Sequence, residues 1–193
     1  MGRLSCGLVH QPVIGETRSG DDYCVIHSRD MVLVAMADGL GHGPMAQAAA
    51  HRAIEYVARH QEQDPRALLD GCHRALRGTR GAVLAIVRID LRAGTLVHAG
   101  LGNIETRIVA AERIYRPVTV NGIAGYTARS FRAEQFAFLP GDLLIMHTDG
   151  ISDRFEISPA ARGRDLQMLA SQIVHEHGRH HDDQLLLILR YET

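Results

Sequence analysis

Lysine is absent from this chain of 193 residues, so arginine carries all 21 of its basic charges. The formal net charge is −1, and the arginines form no stripe of the kind that binds nucleic acid. Long apolar runs are also absent: the run from Met31 to Ala37 is far shorter than the roughly 20 residues of a membrane-spanning helix. We therefore expect a soluble protein with no nucleic-acid or membrane partner.

Cysteine is scarce, and no secretion signal is recognisable. Cys6, Cys24 and Cys72 are an odd number without Cys-x-x-Cys spacing, which argues against a disulfide framework and against a zinc site. We expect all three to be reduced and buried as small hydrophobic side chains. The first residues contain no apolar segment of signal-peptide length, which favours a cytoplasmic protein.

Length and a hydrophobic content of 46% predict one domain over residues 1–193. Short apolar segments bounded by turn residues predict strands, and i, i+3, i+4 spacing predicts helices that begin at Pro44, after Asp64 and after Asp165. Short links between the later strands favour antiparallel pairing. The fold class is α+β, with two packed antiparallel sheets and helices outside them. Strands are predicted near 4–9, 23–28, 31–37, 82–90, 95–101, 104–109, 112–116, 131–138, 142–148 and 184–191, and helices near 44–60, 65–76 and 165–177.

Two apolar strands end in the same dipeptide, Asp38-Gly39 and Asp149-Gly150. One Asp-Gly after a strand is usually a turn, but a carboxylate repeatedly placed at a strand end costs desolvation energy and needs a partner. A hard divalent cation such as Mg²⁺ or Mn²⁺ is such a partner, because it prefers oxygen ligands. A third acidic cluster, Asp182-Asp183, precedes the last strand.

Two other readings of these segments remain. Gly39-x-Gly41-x-Gly43 could cradle a phosphate at a helix N-terminus, although Asp38 would repel that phosphate and the spacing differs from G-x-G-x-x-G. The histidines between His175 and His181 could bind a transition metal, but they lack the H-E-x-x-H spacing and suit a solvated helix end.

Four segments also occur in the order of the motifs of one family, and this order spans nearly the whole chain. The chain resembles the PPM family of metal-dependent protein phosphatases, and its SpoIIE-like branch in particular. The matching segments are Ser19-Gly20-Asp21, Ala37-Asp38-Gly39-Leu-Gly-His-Gly43, His147-Thr148-Asp149-Gly150-Ile151-Ser152-Asp153 and Asp182-Asp183-Gln-Leu-Leu-Leu-Ile-Leu189.

The resemblance implies a four-layer αββα sandwich with two Mn²⁺ or Mg²⁺ ions in a cleft at one end of the sheets. By matched position, Asp38 would bridge both ions and the Gly39 carbonyl would bind one of them. Asp149 and Asp182 would bind the other, and Asp21 would hold waters around the ions. Asp182 is preferred to Asp183 because the family's last ligand directly precedes an Asn or Asp, but a slip of one residue would exchange them.

The resemblance further implies hydrolysis of phosphoserine and phosphothreonine in partner proteins. The implied substrates are phosphorylated STAS-domain scaffold proteins of the stressosome, whose dephosphorylation resets a general stress signal. The alternative is a catalytically inactive, PPM-like regulatory binding module. Because degenerate relatives tend to lose the motif aspartates and this chain keeps them, the sequence favours the enzyme.

The chain departs from the family pattern at three places. Leu40 stands where many relatives have the histidine proposed as general acid, which leaves His42 as the nearest imidazole. Asn103 stands where relatives often have an aspartate that helps to hold a third metal. The phosphate-binding arginine upstream of the first motif has no secure match, since Arg18 lies at a different spacing from Asp21.

Overall fold

The computed structural model describes residues 3–128 and 130–192. Within these residues the chain forms ten strands, three α-helices and one 3₁₀-helix. The elements are β1 (Arg3–Gln11), β2 (Asp21–Ser28), β3 (Met31–Gly39), α1 (Pro44–Arg59), α2 (Pro65–Ala75), β4 (Ala82–Asp90), β5 (Thr95–Leu101), β6 (Glu105–Val109), β7 (Ile114–Tyr115), β8 (Glu134–Ala137), β9 (Leu143–His147), the 3₁₀-helix (Pro159–Gly163), α3 (Leu166–His177) and β10 (Gln184–Glu192).

The strands form two five-stranded antiparallel sheets. The first sheet has the order β1-β10-β9-β6-β7 and the second the order β2-β3-β4-β5-β8. Helices α1 and α2 cover the outer face of the second sheet, and α3 covers the outer face of the first. The predicted α+β class and the four-layer αββα sandwich are therefore confirmed.

Alternation along β3 shows how the layers are built. Val34 and Met36 face the core between the two sheets, whereas Ala35 and Ala37 face α1 and α2. Small side chains on the helix-facing side allow α1 to approach closely, and α1 presents an alanine-rich buried face of its own. The two backbones come close at Gly39, where a Cβ atom would stand 2.0 Å from the Ala46 carbonyl oxygen.

Several predicted details differ from the structure. The 3₁₀-helix Pro159–Gly163 was not predicted, and β7 and β8 are shorter than the predicted 112–116 and 131–138. Cys72 is buried and Cys24 is half-buried, but Cys6 is exposed, because β1 is an edge strand of the first sheet. All three cysteines are free. No helix in the described part of the chain is both long and apolar enough to cross a membrane.

Candidate metal centre

The first predicted ligand lies at the end of β3. Side chains alternate along the strand, so Asp38 follows Val34 and Met36 onto the face that the other sheet covers. Asp21, the first residue of β2, is the cross-strand partner of Asp38 and is only 3% exposed. Because directly opposed Cβ atoms lie about 5 Å apart, two carboxylates stand side by side at this end of the second sheet.

Asp149 comes from the first sheet, two residues after the end of β9. Asn103, in the turn between β5 and β6, donates its side-chain amide to Asp149 Oδ2 over 2.9 Å. The preceding residue, Thr148, is fully buried and donates its hydroxyl to Asp21 Oδ2 over 2.8 Å. The backbone N–H of Leu185 donates in turn to Thr148 Oγ1 over 3.2 Å. These bonds connect Asp21 of the second sheet to the central strands of the first.

The pair Asp182-Asp183 precedes β10, and its two carboxylates have different surroundings. Asp183 is buried; its Oδ1 accepts the Val13 N–H and its Oδ2 accepts the Gly20 N–H, each over 2.8 Å. Asp182 is half-buried and accepts only the Asp183 N–H in the described structure, over 3.0 Å. Asp182 is therefore the member of the pair that faces the cleft.

The carboxylates line a cleft of about 460 Å³ where the ends of the two sheets meet. Asp38, Asp149 and Asp182, which are far apart in the sequence, all line it, and Asp21 lies buried beside Asp38. The structure thus brings the predicted acidic residues together. The other lining residues are Leu40, Gly41, His42, Val83, Gly102, Asn103, Asn121 and Ile123.

Burial and mutual repulsion raise the pKa values of these carboxyls. Burial is the larger cause for Asp38, whose pKa rises to about 9, and the charges of Asp21 and Asp149 add to it. Burial also raises the pKa of Asp21 to about 8, against the opposing effect of the Thr148 hydrogen bond. Burial, followed by the charge of Asp149, raises the pKa of Asp182. Among the described residues no arginine lines this cleft, so a bound cation would relieve the repulsion.

The donor set indicates which cations would fit. No three His, Cys, Asp or Glu side chains in the described ranges converge into a preformed metal site, so the aspartates border a common space instead of surrounding one point. Mg²⁺ and Mn²⁺ retain several waters and need only one or two carboxylates each. An oxygen-only set of this kind suits hard divalent cations better than zinc or copper, which favour nitrogen and sulfur.

The structure does not support the two alternative sites, the histidine segment and the glycine-rich loop. The histidines of the 175–181 segment, at the end of α3, form no metal site within the described residues. The glycine-rich loop leads into α1 from an antiparallel sheet, not from the βαβ unit of dinucleotide-binding proteins. The acidic cleft is therefore the better candidate site.

The rim of the cleft carries His42, the imidazole nearest in sequence to the first Asp-Gly motif. His42 is exposed, and its Nδ1 lies 3.4 Å from Glu16 Oε1. Leu40, which stands where many relatives have a histidine, forms part of the cleft wall. Among the described residues that line the cleft, His42 is the histidine. Arg18 lies outside the lining and donates to Gln47 of α1 over 3.2 Å.

Sequence reasoning missed two contributors to the site. The available signal for Thr148 was a hydroxyl directly before a strand-end aspartate. At position 103 the sequence indicates only that a carboxylate is missing, whereas in the structure the Asn103 side chain donates to Asp149. The sequence does not show which of Asp182 and Asp183 faces the cleft, because Asp183 is held by the N–H groups of Val13 and Gly20, which are distant in the chain.

Comparisons with known proteins agree with this architecture. The family model described as Stage II sporulation protein E (SpoIIE) matches residues 28–192. Phosphoserine phosphatase RsbX of Bacillus subtilis (strain 168) is 21% identical over 161 residues, which cover 82% of this chain and 80% of RsbX.

Two solved structures are similar over nearly the whole chain. A chain from a structure of the bacterial stressosome, described as a modular system adapted to control secondary messenger signaling, is 32% identical, with a TM-score of 0.91. The similarity covers 97% of this chain and 100% of that one. Crystalline RsbX in complex with magnesium has a TM-score of 0.86 at 18% identity, over 98% of this chain and 96% of that one. At that identity, the second similarity shows the fold alone.

Proposed function

The chain belongs to the SpoIIE family, and we propose that it is a protein phosphatase that uses divalent cations to hydrolyse phosphoserine and phosphothreonine. One observation carries the proposal: Asp38, Asp149 and Asp182, from three separate segments, line one cleft. Their half-buried, mutually repelling carboxylates favour a bound cation, and a cleft that holds cations is suited to a phosphate dianion.

The proposed ligands are those implied by the family. Asp38 would bridge two Mn²⁺ or Mg²⁺ ions, with the Gly39 carbonyl on one of them and Asp149 and Asp182 on the other. Asp21, buried beside Asp38 and fixed by Thr148, would orient waters around the ions. When bound, such a pair lowers the pKa of a water and neutralises the charge that develops on the phosphoryl group.

The chain's own residues supply orientation and a proton. Asn103 holds Asp149 by one oxygen, which leaves the other oxygen to face the cleft. His42 lines the rim beside Glu16, where a protonated imidazole could give its proton to the leaving serine oxygen. Since the nucleophile is water, no phosphorylated side chain is needed.

The biological setting is also a proposal. The relatives include a phosphoserine phosphatase and a chain from a stressosome structure. We therefore assign phosphorylated STAS-domain scaffold proteins of a stressosome as substrates, and the resetting of a general stress signal in the cytoplasm as the role. Residues 1–193 would act as one phosphatase domain.

The test is phosphate release from p-nitrophenyl phosphate and from a phosphoserine protein, with Mn²⁺, with Mg²⁺ and with a chelator. We expect turnover only with the cations. Loss of an outer-shell group at a metal site costs 10–100-fold, so Asp38→Asn should reduce turnover by at least about 100-fold. Asp70→Asn, an exposed change on α2, is the matched control and should keep the activity.

Absence of turnover in the folded wild-type protein with either cation would contradict the proposal. That result would favour the alternative of a regulatory binding module. Turnover that Asp38→Asn leaves unchanged would contradict the assignment of the site.

A further inference from the structure

An open apolar groove of about 530 Å³ lies beside the acidic cleft. We call it the apolar shelf. Leu40, Ile123 and Tyr126 provide its apolar surface, and its remaining lining residues are Gly41, Arg80 and Thr127. None of the residues proposed to bind the cations or donate a proton lines the apolar shelf.

The shelf and the acidic cleft are continuous. Leu40, Gly41 and Ile123 line both of them, so these three residues form a shared rim. A phosphoserine whose phosphate lies in the cleft would have its neighbouring residues at or beyond this rim. A polypeptide substrate that leaves the cleft in this direction would therefore pass over the shelf.

The shelf is held in place by contacts that do not depend on a ligand. Ala124 exchanges backbone hydrogen bonds with Ala82 of β4, which anchors the segment that carries Ile123 and Tyr126. The Tyr126 hydroxyl donates to the Thr79 carbonyl over 2.9 Å, although the residue is 61% exposed. A large exposed ring fixed by its polar end is preorganised to bind an apolar group at low entropic cost.

The loop before β4 packs closely against the segment that carries Ile123 and Tyr126. Gly81 has a φ of +79°, and a Cβ atom there would stand 2.7 Å from the Ala124 carbonyl oxygen. Its neighbour Arg80 lies at the shared rim, where its Nη1 stands 3.0 Å from the position that a Cβ of Gly41 would occupy. A glycine at position 41 leaves room for the guanidinium.

Arg80 is the cation at this boundary. It is exposed and has no ion pair within the described residues. A guanidinium binds phosphate oxygens through paired N–H donors. A cation next to an apolar surface matches a chain that carries a phosphate beside an apolar side chain.

We propose that the apolar shelf binds an apolar side chain adjacent to the phosphoserine of a protein substrate, while Arg80 hydrogen-bonds to the phosphate from the rim. This inference rests on the proposed function and deepens it, because it names the chemistry of the substrate segment. The substrate class is a phosphoserine polypeptide with a large aliphatic residue next to the phosphoserine.

The test compares two phosphoserine peptides that differ only at the residues flanking the phosphoserine, which are leucine in one and the similarly sized asparagine in the other. We expect the wild-type kcat/KM to favour the leucine peptide by about tenfold, the usual discrimination of an apolar pocket. Tyr126→Ser should bring the ratio close to one. Met168→Ser, another exposed apolar side chain but on α3, should keep the wild-type ratio.

Arg80→Gln provides a separate readout. It should lower kcat/KM about tenfold for both peptides and for p-nitrophenyl phosphate, because the phosphate is common to them. Arg66→Gln, an exposed arginine on α2, is the control and should change none of these values. A loss confined to the peptides would overturn the assignment of Arg80 to the phosphate.

Two outcomes separate this inference from the proposed function. Equal wild-type kcat/KM for the two peptides, or an unchanged ratio in Tyr126→Ser, would overturn the shelf while phosphatase activity stands. If the wild-type protein hydrolyses neither the peptides nor p-nitrophenyl phosphate, the proposed function fails and the shelf assignment fails with it.

Discussion

Asp182 and Asp183 are adjacent in the chain, yet their carboxylates serve different parts of the molecule. Asp183 is buried and accepts the backbone N–H groups of Val13 and Gly20, whereas Asp182 lines the cleft with Asp38. Asp183 therefore fixes the segment that leads into β2, and Asp182 is free to face a cation.

Because the two carboxylates have different surroundings, conservative substitutions of Asp183 and Asp182 should affect different properties, namely stability and metal affinity. Asp183→Asn places an amide where two N–H donors converge, so it should lower the free energy of unfolding by about 1–3 kcal/mol. Asp182→Asn should change stability little and weaken Mn²⁺ binding by at least about tenfold. Thermal unfolding and calorimetric Mn²⁺ titration of the two variants measure these effects. A larger loss of metal affinity in Asp183→Asn than in Asp182→Asn would contradict the assignment.

Asn103 should affect cation binding by orienting the carboxylate of Asp149. Its side-chain amide donates to Asp149 Oδ2, so Asn103→Ala leaves that carboxylate free to rotate. We expect the Mn²⁺ concentration for half-maximal activity to rise about tenfold, with little change in the melting temperature because Asn103 is exposed. An unchanged Mn²⁺ requirement would show that the hydrogen bond does not orient Asp149.

Without bound cations, the stability of the protein should fall as pH rises. In the folded, metal-free protein the pKa of Asp38 is about 9 and that of Asp21 about 8, both above the ordinary 3.8. Between pH 6.5 and pH 8 these two carboxyls hold more protons in the folded state than in the unfolded state, so the unfolding free energy decreases with pH. Thermal unfolding in a chelator should show this decrease.

Asp38→Asn supplies the control for this pH dependence. It removes one of the repelling carboxylates, so it should stabilise the metal-free protein at pH 8 by on the order of 2 kcal/mol and flatten the pH profile. Added Mn²⁺ should raise the melting temperature of the wild-type protein more at pH 8 than at pH 6. A chelated wild-type protein that is most stable at pH 8 would contradict this account.

A buried histidine predicts pH sensitivity of the opposite sign. His98 is 1% exposed, its ring nitrogens have no hydrogen-bond partner among the described residues, and burial lowers its pKa to about 4. Between pH 6.5 and pH 4 the unfolded state binds more protons at this site, so stability is lost as pH falls through that window. His98→Leu should remove this loss and add about 1 kcal/mol at pH 7.

Chelated samples of His98→Leu and His27→Leu, compared by thermal melts from pH 7 to pH 4.5, check this prediction. His27 is exposed on β2 and should behave like the wild type. An identical pH dependence of stability in His98→Leu and the wild-type protein would show that His98 does not titrate on unfolding.

Much of the fold could be predicted because local signals and packing agree. The helix that begins at Pro44 was predicted over 44–60 and observed over 44–59, since its alanine-rich face is the one that packs on β3. The 3₁₀-helix Pro159–Gly163 was missed because a segment of five residues shows no periodicity. The buried side chain of Arg107 lies over the Phe155 ring and donates to the Phe155 carbonyl oxygen. These tertiary contacts place it in the core, and no spacing in the sequence indicates them.

The candidate site could be predicted in its acidic residues and not in its supports. Asp38 and Asp149 end apolar strands, which is a local pattern that sequence shows directly. The hydrogen bond from Thr148 to Asp21 joins two sheets, so it depends on the packing of the whole sandwich. The shared rim of cleft and shelf likewise arises only when the segment around Ile123 docks beside β4.

The most direct measurement of the central claim is a calorimetric titration of the wild-type protein and Asp38→Asn with Mn²⁺ at pH 8. We expect two ions to bind per wild-type chain, with release of protons from the cleft, and Asp38→Asn to lose most of this binding. A folded wild-type protein that binds no Mn²⁺ or Mg²⁺, or an Asp38→Asn variant that binds Mn²⁺ as the wild type does, would contradict it.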